Sequence, residues 1–194
     1  SSAASDVYKR QVIIISAVEG IQGHTETVWK LLQKHSVPTF FFINKIDREG
    51  ADVKRVVEEI RKTLTKDVCY LTGNLHDDKI SEEIIEFIAQ RDEELFERYF
   101  NAEYDKDLWL RAMQRLIKEN KIFPTFSGSA LKDIGIAEFI EQIHNLTITD
   151  YKEEGPFLGR VYKIAHDEKG MRTTFIKALG GKLKVRDRIP MDKN

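Results

Sequence analysis

Two short runs of large apolar residues, Val12-Ile13-Ile14-Ile15-Ser16 and Thr39-Phe40-Phe41-Phe42-Ile43, flank a stretch with helical spacing. Neither run alternates apolar with polar residues, which is the pattern of parallel strands buried on both faces rather than of a hairpin with one wet side. Between them, over residues 23–35, Val28, Leu31 and Leu32 recur at helical spacing, Glu26 falls in the first turn and Pro38 follows the end. A strand, a helix and a second strand within about thirty residues form a right-handed crossover, and this unit commits the chain to an α/β fold with a parallel sheet.

The alternation continues beyond it. Val53, Val56, Val57, Ile60 and Leu64 mark one face of an amphipathic helix, and residues 68–71 read as a short strand. From about residue 81 to 121 the texture changes to charged helices, one patterned by Ile84, Ile85 and Ile88 and another by Leu108, Trp109, Met113, Leu116 and Ile117. Both are expected on the surface. Residues 122–126 return to strand character despite Pro124, and a helix with Ile136, Phe139, Ile140 and Ile143 on one face follows. After a polar connector over residues 147–156, three consecutive strands are predicted over 157–166, 173–179 and 182–189, around Gly170 and the Gly180-Gly181 turn. A second, all-β domain is therefore expected from about residue 156.

Composition narrows the function classes. The 194 residues are 41% hydrophobic and 32% charged, with 31 basic and 32 acidic side chains and a net charge of -1. That balance excludes a whole-chain field of the kind that coats nucleic acid or adheres to membranes. Locally, residues 81–107 hold ten acids and three bases, whereas residues 157–194 hold four acids and ten bases. The single cysteine, Cys69, excludes an intrachain disulfide framework and a multi-cysteine zinc site and suits a reducing compartment. No apolar run approaches the roughly 20 residues of a membrane helix. The first 11 residues lack the apolar core of a signal peptide, and Asp6-Val7-Tyr8-Lys9-Arg10-Gln11 resembles the translated end of a transposon used in preparing sequencing libraries. Residues 1–11 are thus expected to be a non-native or disordered leader. Because Met191-Asp192-Lys193-Asn194 follows directly on a strand-like run, the chain is expected to be an internal piece of a longer protein.

The chemistry-bearing string is Asn44-Lys45-Ile46-Asp47, directly after the second buried strand, at the carboxyl edge where open α/β sheets bind ligands. A carboxylate at Asp47 can accept two hydrogen bonds from the ring N–H and exocyclic amine of guanine, adjacent donors that adenine does not present. Asn44 offers both donor and acceptor to the imidazole edge of a purine, and the Lys45 stem can lie over the base plane. Three fixed residues of this kind occur by chance in about 2% of chains this long, so the string alone is a moderate signal. Gly128-Ser129-Ala130-Leu131 adds to it: small residues on a loop between a strand and a helix let backbone N–H groups approach an acceptor such as the guanine carbonyl.

Together, Asn44-Lys45-Ile46-Asp47 and Ser129-Ala130-Leu131 resemble the fourth and fifth guanine-recognition motifs of P-loop GTPases. The 81 residues between Asp47 and Ser129 resemble the insert in the G domain of elongation factor G relatives. Residues 18–50 are similar to the same branch, and Phe157-Leu158-Gly159-Arg160-Val161-Tyr162-Lys163-Ile164, with Thr174-Phe175-Ile176-Lys177 and Gly180-Gly181-Lys182-Leu183, is similar to the opening strands of its second-domain β-barrel. In its compact insert and in Gly128-Ser129-Ala130 followed by Asp133-Ile134-Gly135-Ile136, the chain most resembles the tetracycline ribosomal-protection group of translational GTPases.

The resemblance covers residues 12–190. It implies the carboxyl half of a P-loop GTPase G domain over residues 12–150, a parallel sheet with flanking helices and a helical insert at about 66–121, then the first strands of a β-barrel over 151–194. It also implies GTP held through Asn44, Lys45, Asp47, Ser129, Ala130 and Leu131, a ribosomal partner, no membrane, and a cytoplasmic location. No G-x-x-x-x-G-K-[ST] loop and no Asp-x-x-Gly-His string occurs in the 194 residues. No catalytic or metal-ligating residue is therefore assigned. Magnesium is expected in an intact parent that hydrolyses GTP, while this piece alone is expected to bind GTP weakly or not at all. The competing readings are an elongation factor G-like translocase and a non-catalytic α/β interaction module with a vestigial guanine motif, its partner surface on the helices at 81–121. His24, the His76-Asp77-Asp78 turn with Asn74, Cys69, Trp29 and Trp109 are all read as structural or solvated positions.

Overall fold

The computed structural model describes residues 10–75, 79–101, 104–148, 153–166 and 170–188. The chain divides into two compact units, residues 1–148 and 149–194.

The first unit carries a four-stranded parallel sheet in the order β1-β2-β4-β3, from Gln11–Ser16 (β1), Thr39–Asn44 (β2), Val68–Tyr70 (β3) and Phe123–Ser127 (β4). Every residue of β4 and all but the last of β2 are buried, as the continuous apolar run of β2 requires, and β4 carries Thr125 and Ser127 among its buried residues. Pro124 is tolerated in β4 because pairing with β2 begins one residue later, at Thr125 opposite Phe41.

The helices divide between the two faces. Gly23–Lys34 (α1) and Val53–Thr63 (α2) cover one face, where Trp29, Val56 and Ile60 meet Ile13, Phe41, Ile43 and Phe123. The Trp29 ring lies 5.4 Å from that of Phe41 and packs edge-on to Phe123 at 4.8 Å. The opposite face is covered by Glu82–Ala89 (α3), Glu93–Phe100 (α4), Lys106–Lys118 (α5) and Ile136–Asn145 (α6). Asp52, Asp92 and Asp105 cap α2, α4 and α5 by accepting first-turn backbone N–H groups.

Four expectations are corrected here. Among the described residues β1 is an edge strand: Ile13 and Ile15 are buried, but Ile14 is 65% exposed. The charged stretch forms three helices, and they are not mere surface helices, since Trp109, Met113, Leu116 and Ile88 are buried in the apolar cluster that also holds Phe40 and Phe42 of β2. On α6 the buried face runs through Phe139, Gln142 and Leu146 at its end, leaving Ile140 62% exposed. In the second unit, Leu158–His166 (β5) and Arg172–Gly180 (β6) form an antiparallel hairpin, but residues 182–188 form no third strand. The Gly180-Gly181 turn is tight: a Cβ on Gly181 would lie 2.6 Å from the Pro156 carbonyl oxygen. The His76-Asp77-Asp78 turn lies outside the described residues.

Candidate functional site

Parallel pairing of β2 with β4 places Ile43 beside Ser127, so the segments that leave the two strands start side by side. Backbone bonds continue past the strand ends. The Gly128 N–H donates to the Ile43 carbonyl at 2.9 Å, and the Ile46 N–H donates to the Gly128 carbonyl at 3.3 Å. Both motifs therefore sit at one sheet edge.

The Asn44 side chain joins them. Its Oδ1 accepts the Lys45 N–H at 2.8 Å and the Ala130 N–H at 2.9 Å. The Ala130 N–H, the kind of donor expected to face a ligand carbonyl, is thus engaged by Asn44, and a guanine oxygen would have to share it. The Asn44 amide nitrogen makes no hydrogen bond among the described residues, which leaves two donors for a purine ring nitrogen. Lys45 holds a left-handed backbone, φ +69°, a conformation that costs a non-glycine residue about 1–3 kcal/mol and collects at functional positions. Its Nζ lies 3.3 Å from both carboxylate oxygens of Glu19.

Asp47 is exposed on the turn that follows. A hydrogen bond from the Ser129 side chain is the main influence holding its carboxyl below the usual carboxylate range, with Lys132 and Arg48 acting in the same direction. Asp47 is therefore an anion at neutral pH, with acceptor capacity directed to solvent. Ser129 itself is buried, in a small closed loop: its backbone exchanges N–H···O bonds with Ile134 at 3.0 Å each, and its Oγ accepts the Lys132 N–H at 3.2 Å. Gly128 is required where it stands, since a Cβ there would lie 2.3 Å from the Ile134 carbonyl oxygen and 2.8 Å from the Phe42 ring. Leu131, by contrast, is 81% exposed on the outer rim of the loop.

Several supporting residues escape a reading of the sequence. Tyr70 hydroxyl and Ser127 Oγ are hydrogen-bonded at 2.8 Å, and Thr72 Oγ1 accepts the Ser127 N–H at 2.9 Å, fixing the end of β4 just before the Gly128 loop. Arg55 and Glu59, paired one turn apart on α2, hold the loop after β1, and that loop presents Glu19. The i, i+4 spacing of Arg55 and Glu59 is visible in the sequence, but their loop partners, 37 and 38 residues away, are not.

The chemistry of this edge suits a purine with adjacent donors: an exposed anionic acceptor, an amide, and a lysine stem held in a fixed backbone. Among the described residues no group of three or more His, Cys, Asp or Glu comes together. Among the same residues no helix is long and apolar enough to cross a membrane.

Comparison with known proteins gives this geometry a context. Tetracycline resistance protein TetO of Streptococcus mutans is 32% identical over 187 residues, covering 92% of this chain and 29% of TetO. TetM from transposon Tn5251 of Streptococcus pneumoniae is 30% identical over 186 residues, with coverage of 92% and 29%. TetW of Butyrivibrio fibrisolvens is 28% identical over 188 residues, with coverage of 93% and 29%. The chain thus spans less than a third of the length of these relatives. A crystal structure of a Thermus thermophilus protein superposes with a TM-score of 0.76 at 19% identity, covering 96% of this chain and 34% of that one, a likeness of fold. The elongation factor Tu GTP-binding domain matches residues 2–149, most of the chain, and the protein described here belongs to that family of guanine-nucleotide-binding domains, at a distance from the tetracycline resistance proteins.

Proposed function

We propose that Asn44, Lys45, Asp47, Ser129, Ala130 and Leu131 form the guanine-selecting part of a nucleotide site in a ribosome-dependent GTPase of the tetracycline ribosomal-protection type. The observation that carries this reading is the direct bond between the two motifs, Ala130 N–H to Asn44 Oδ1, beside the exposed Asp47 carboxylate. In this reading Asp47 accepts the guanine ring N–H and amine, Asn44 meets the imidazole edge, and the Lys45 stem covers the base plane. Leu131 flanks the base at the rim. Residues 12–150 are then part of a G domain with an insert at about 66–121, and residues 151–194 begin a β-barrel domain.

The division of labour follows from the chemistry. GTP supplies the phosphoryl group, whose transfer needs a phosphate-cradling loop and magnesium. This chain's residues supply base selection. Its location is cytoplasmic and its larger partner is the ribosome, readings supported by the resemblance of its motifs to ribosomal-protection proteins.

Base selectivity tests the assignment. In a backbone-amide NMR titration of the 194-residue chain carried to tens of millimolar nucleotide, where weak binding through the base alone is visible, GMP is expected to shift residues 44–47 and 128–131. IMP, which lacks the amine, should shift them less, and AMP should leave them unmoved. Asp47→Asn is expected to transfer the preference from GMP to XMP, whose edge exchanges the amine donor for an acceptor. Equal responses to GMP and AMP, or an unchanged preference in Asp47→Asn, would defeat the reading.

A further inference from the structure

The loop that leaves β1 is held by more bonds than its exposure requires. Ser16 Oγ accepts the N–H groups of Val18 and Glu19, both at 3.2 Å. From α2, Arg55 Nη2 donates to the carbonyls of Ala17 at 3.3 Å and Val18 at 2.8 Å, while Glu59 Oε2 accepts the Ile21 N–H at 3.1 Å. The Asp52 N–H adds a bond to the Ala17 carbonyl at 3.0 Å. Gly20, with φ +70°, presses against this clamp so closely that a Cβ would fall 2.2 Å from the Glu59 carboxylate. What this fixed loop presents is the Glu19 carboxylate, 3.3 Å from the Lys45 ammonium.

Lys45 is itself constrained at the other end. Its left-handed backbone is held by the Asn44 side chain, so the direction in which its stem leaves the turn is set, and Glu19 sets where the stem ends. A lysine stem free at its tip loses rotamer entropy when it is ordered over a ligand. Tethered at both ends, it has already lost part of that freedom, and a ligand that needs the ordered stem binds more tightly for it.

We propose that Glu19 is a positioning residue for base recognition: clamped by Arg55 and Glu59, it holds the Lys45 ammonium and so preorders the lysine stem as one wall of the purine site. The proposal rests on the base-site reading above and goes beyond it, since Glu19 lies outside both motifs. The Lys45 and Glu19 side chains are 37% and 46% exposed. A pair so open to solvent is weak, so the expected effect is a two- to fivefold change in affinity, equivalent to about 0.4–1 kcal/mol.

The experiment is a coupled titration of the full 194-residue chain with GMP, followed by amide NMR. Four proteins are compared: the parent, Glu19→Gln, Lys45→Met and the double variant, with Glu19→Asp as the conservative control. Glu19→Gln is expected to weaken GMP binding two- to fivefold in the parent and to have no effect once Lys45 is Met. Glu19→Asp is expected to fall between. A merely structural role for Glu19 would instead move thermal stability and GMP affinity by the same amount in both backgrounds, which would overturn the proposal. GMP binding that is specific in the parent and unchanged in Glu19→Gln overturns the role of Glu19 alone. No GMP-specific shift at residues 44–47 in the parent at tens of millimolar GMP, where even weak binding through the base is visible, overturns the base-site reading and the role of Glu19 with it.

Discussion

The Asn44 side-chain oxygen accepts the Ala130 N–H at 2.9 Å, although 86 residues separate the two in sequence. The same oxygen accepts the Lys45 N–H at 2.8 Å, so one atom holds both the turn after β2 and the loop after β4. Asn44→Ala deletes the acceptor of two backbone donors, and its expected cost is about 1–2 kcal/mol. Asn44→Asp keeps an oxygen in place and is expected to recover most of that loss while removing the donors offered to a purine. Urea denaturation of the two variants separates these effects. If Asn44→Ala unfolds at the same urea concentration as the parent, the bridge contributes nothing to the fold.

The Ser129 hydroxyl acts on Asp47 in a way that titration can read. It stabilises the ionised carboxylate, so the folded carboxyl titrates lower than in the unfolded chain. The sign follows by linkage: the contribution to stability is present above the unfolded carboxylate range and is lost as pH falls through the folded value. Ser129→Ala removes the largest of the influences, and the Asp47 carboxyl is expected to titrate higher when followed by side-chain carbon NMR. Raising the salt concentration should weaken only the smaller contributions of Lys132 and Arg48. An Asp47 titration unchanged by Ser129→Ala would assign its low value to those charges instead.

Two glycines offer a matched pair. A Cβ at Gly128 would meet the Ile134 carbonyl oxygen at 2.3 Å, and backbone cannot step aside as a flexible side chain would. Gly128→Ala is therefore expected to destabilise by about 1–3 kcal/mol and to shift the amides of residues 129–134. Gly23, at the first position of α1, has nothing within 4 Å of its hypothetical Cβ. Gly23→Ala is expected to be neutral or to stabilise by up to about 1 kcal/mol. Thermal unfolding of both variants is the check, and similar losses in the two would show that the close approach at Gly128 is relieved by local movement.

The sheet is legible in the sequence because its central strands are fully buried: Phe40, Phe41, Phe42 and Ile43 need apolar neighbours on both sides, and that need is written in the residue types. Ile14 departs from expectation for the same reason. An edge strand can carry the same apolar run, and only the strand order says which neighbour is missing. The burial of Trp109 and Met113 is obscured by the charged residues around them, because a helix that covers a sheet with one stripe keeps its other faces polar. Asn44, Lys45, Asp47 and Ser129 are legible as a site because each residue type has a chemical reason to be there. Glu19 is not, since a lone glutamate in a turn acquires meaning only when the fold sets it beside Lys45.

Cys69 should be inert. Burial pushes its thiol up to about 12, and only 1% of the residue is exposed. A raised folded value means that the stabilising contribution is complete below the unfolded thiol value of about 8.5 and is lost as pH rises towards 12. The native chain is expected to resist thiol-specific reagents at pH 8, while the urea-unfolded chain reacts stoichiometrically. Prompt labelling of native Cys69 would mean that β3 opens readily.

The packing of α5 decides whether the charged insert is an appendage or part of the domain. Trp109 is 1% exposed, and with Met113 and Leu116 it belongs to the same apolar cluster as Phe40 and Phe42 of β2. Phe100, at the end of α4, is 68% exposed and rests edge-on against Phe96 at 4.8 Å. Trp109→Ala is expected to cost about 3–5 kcal/mol and to lower the stability of the whole first unit, because the side chain belongs to the cluster that continues to β2. Phe100→Ala is expected to cost about 0.5 kcal/mol or less. The check is urea unfolding followed by helix signal and by the amides of β2 in parallel. Coincident loss of both in the Trp109 variant marks one cooperative core, whereas helix loss with β2 still protected would make the insert a separately folding element.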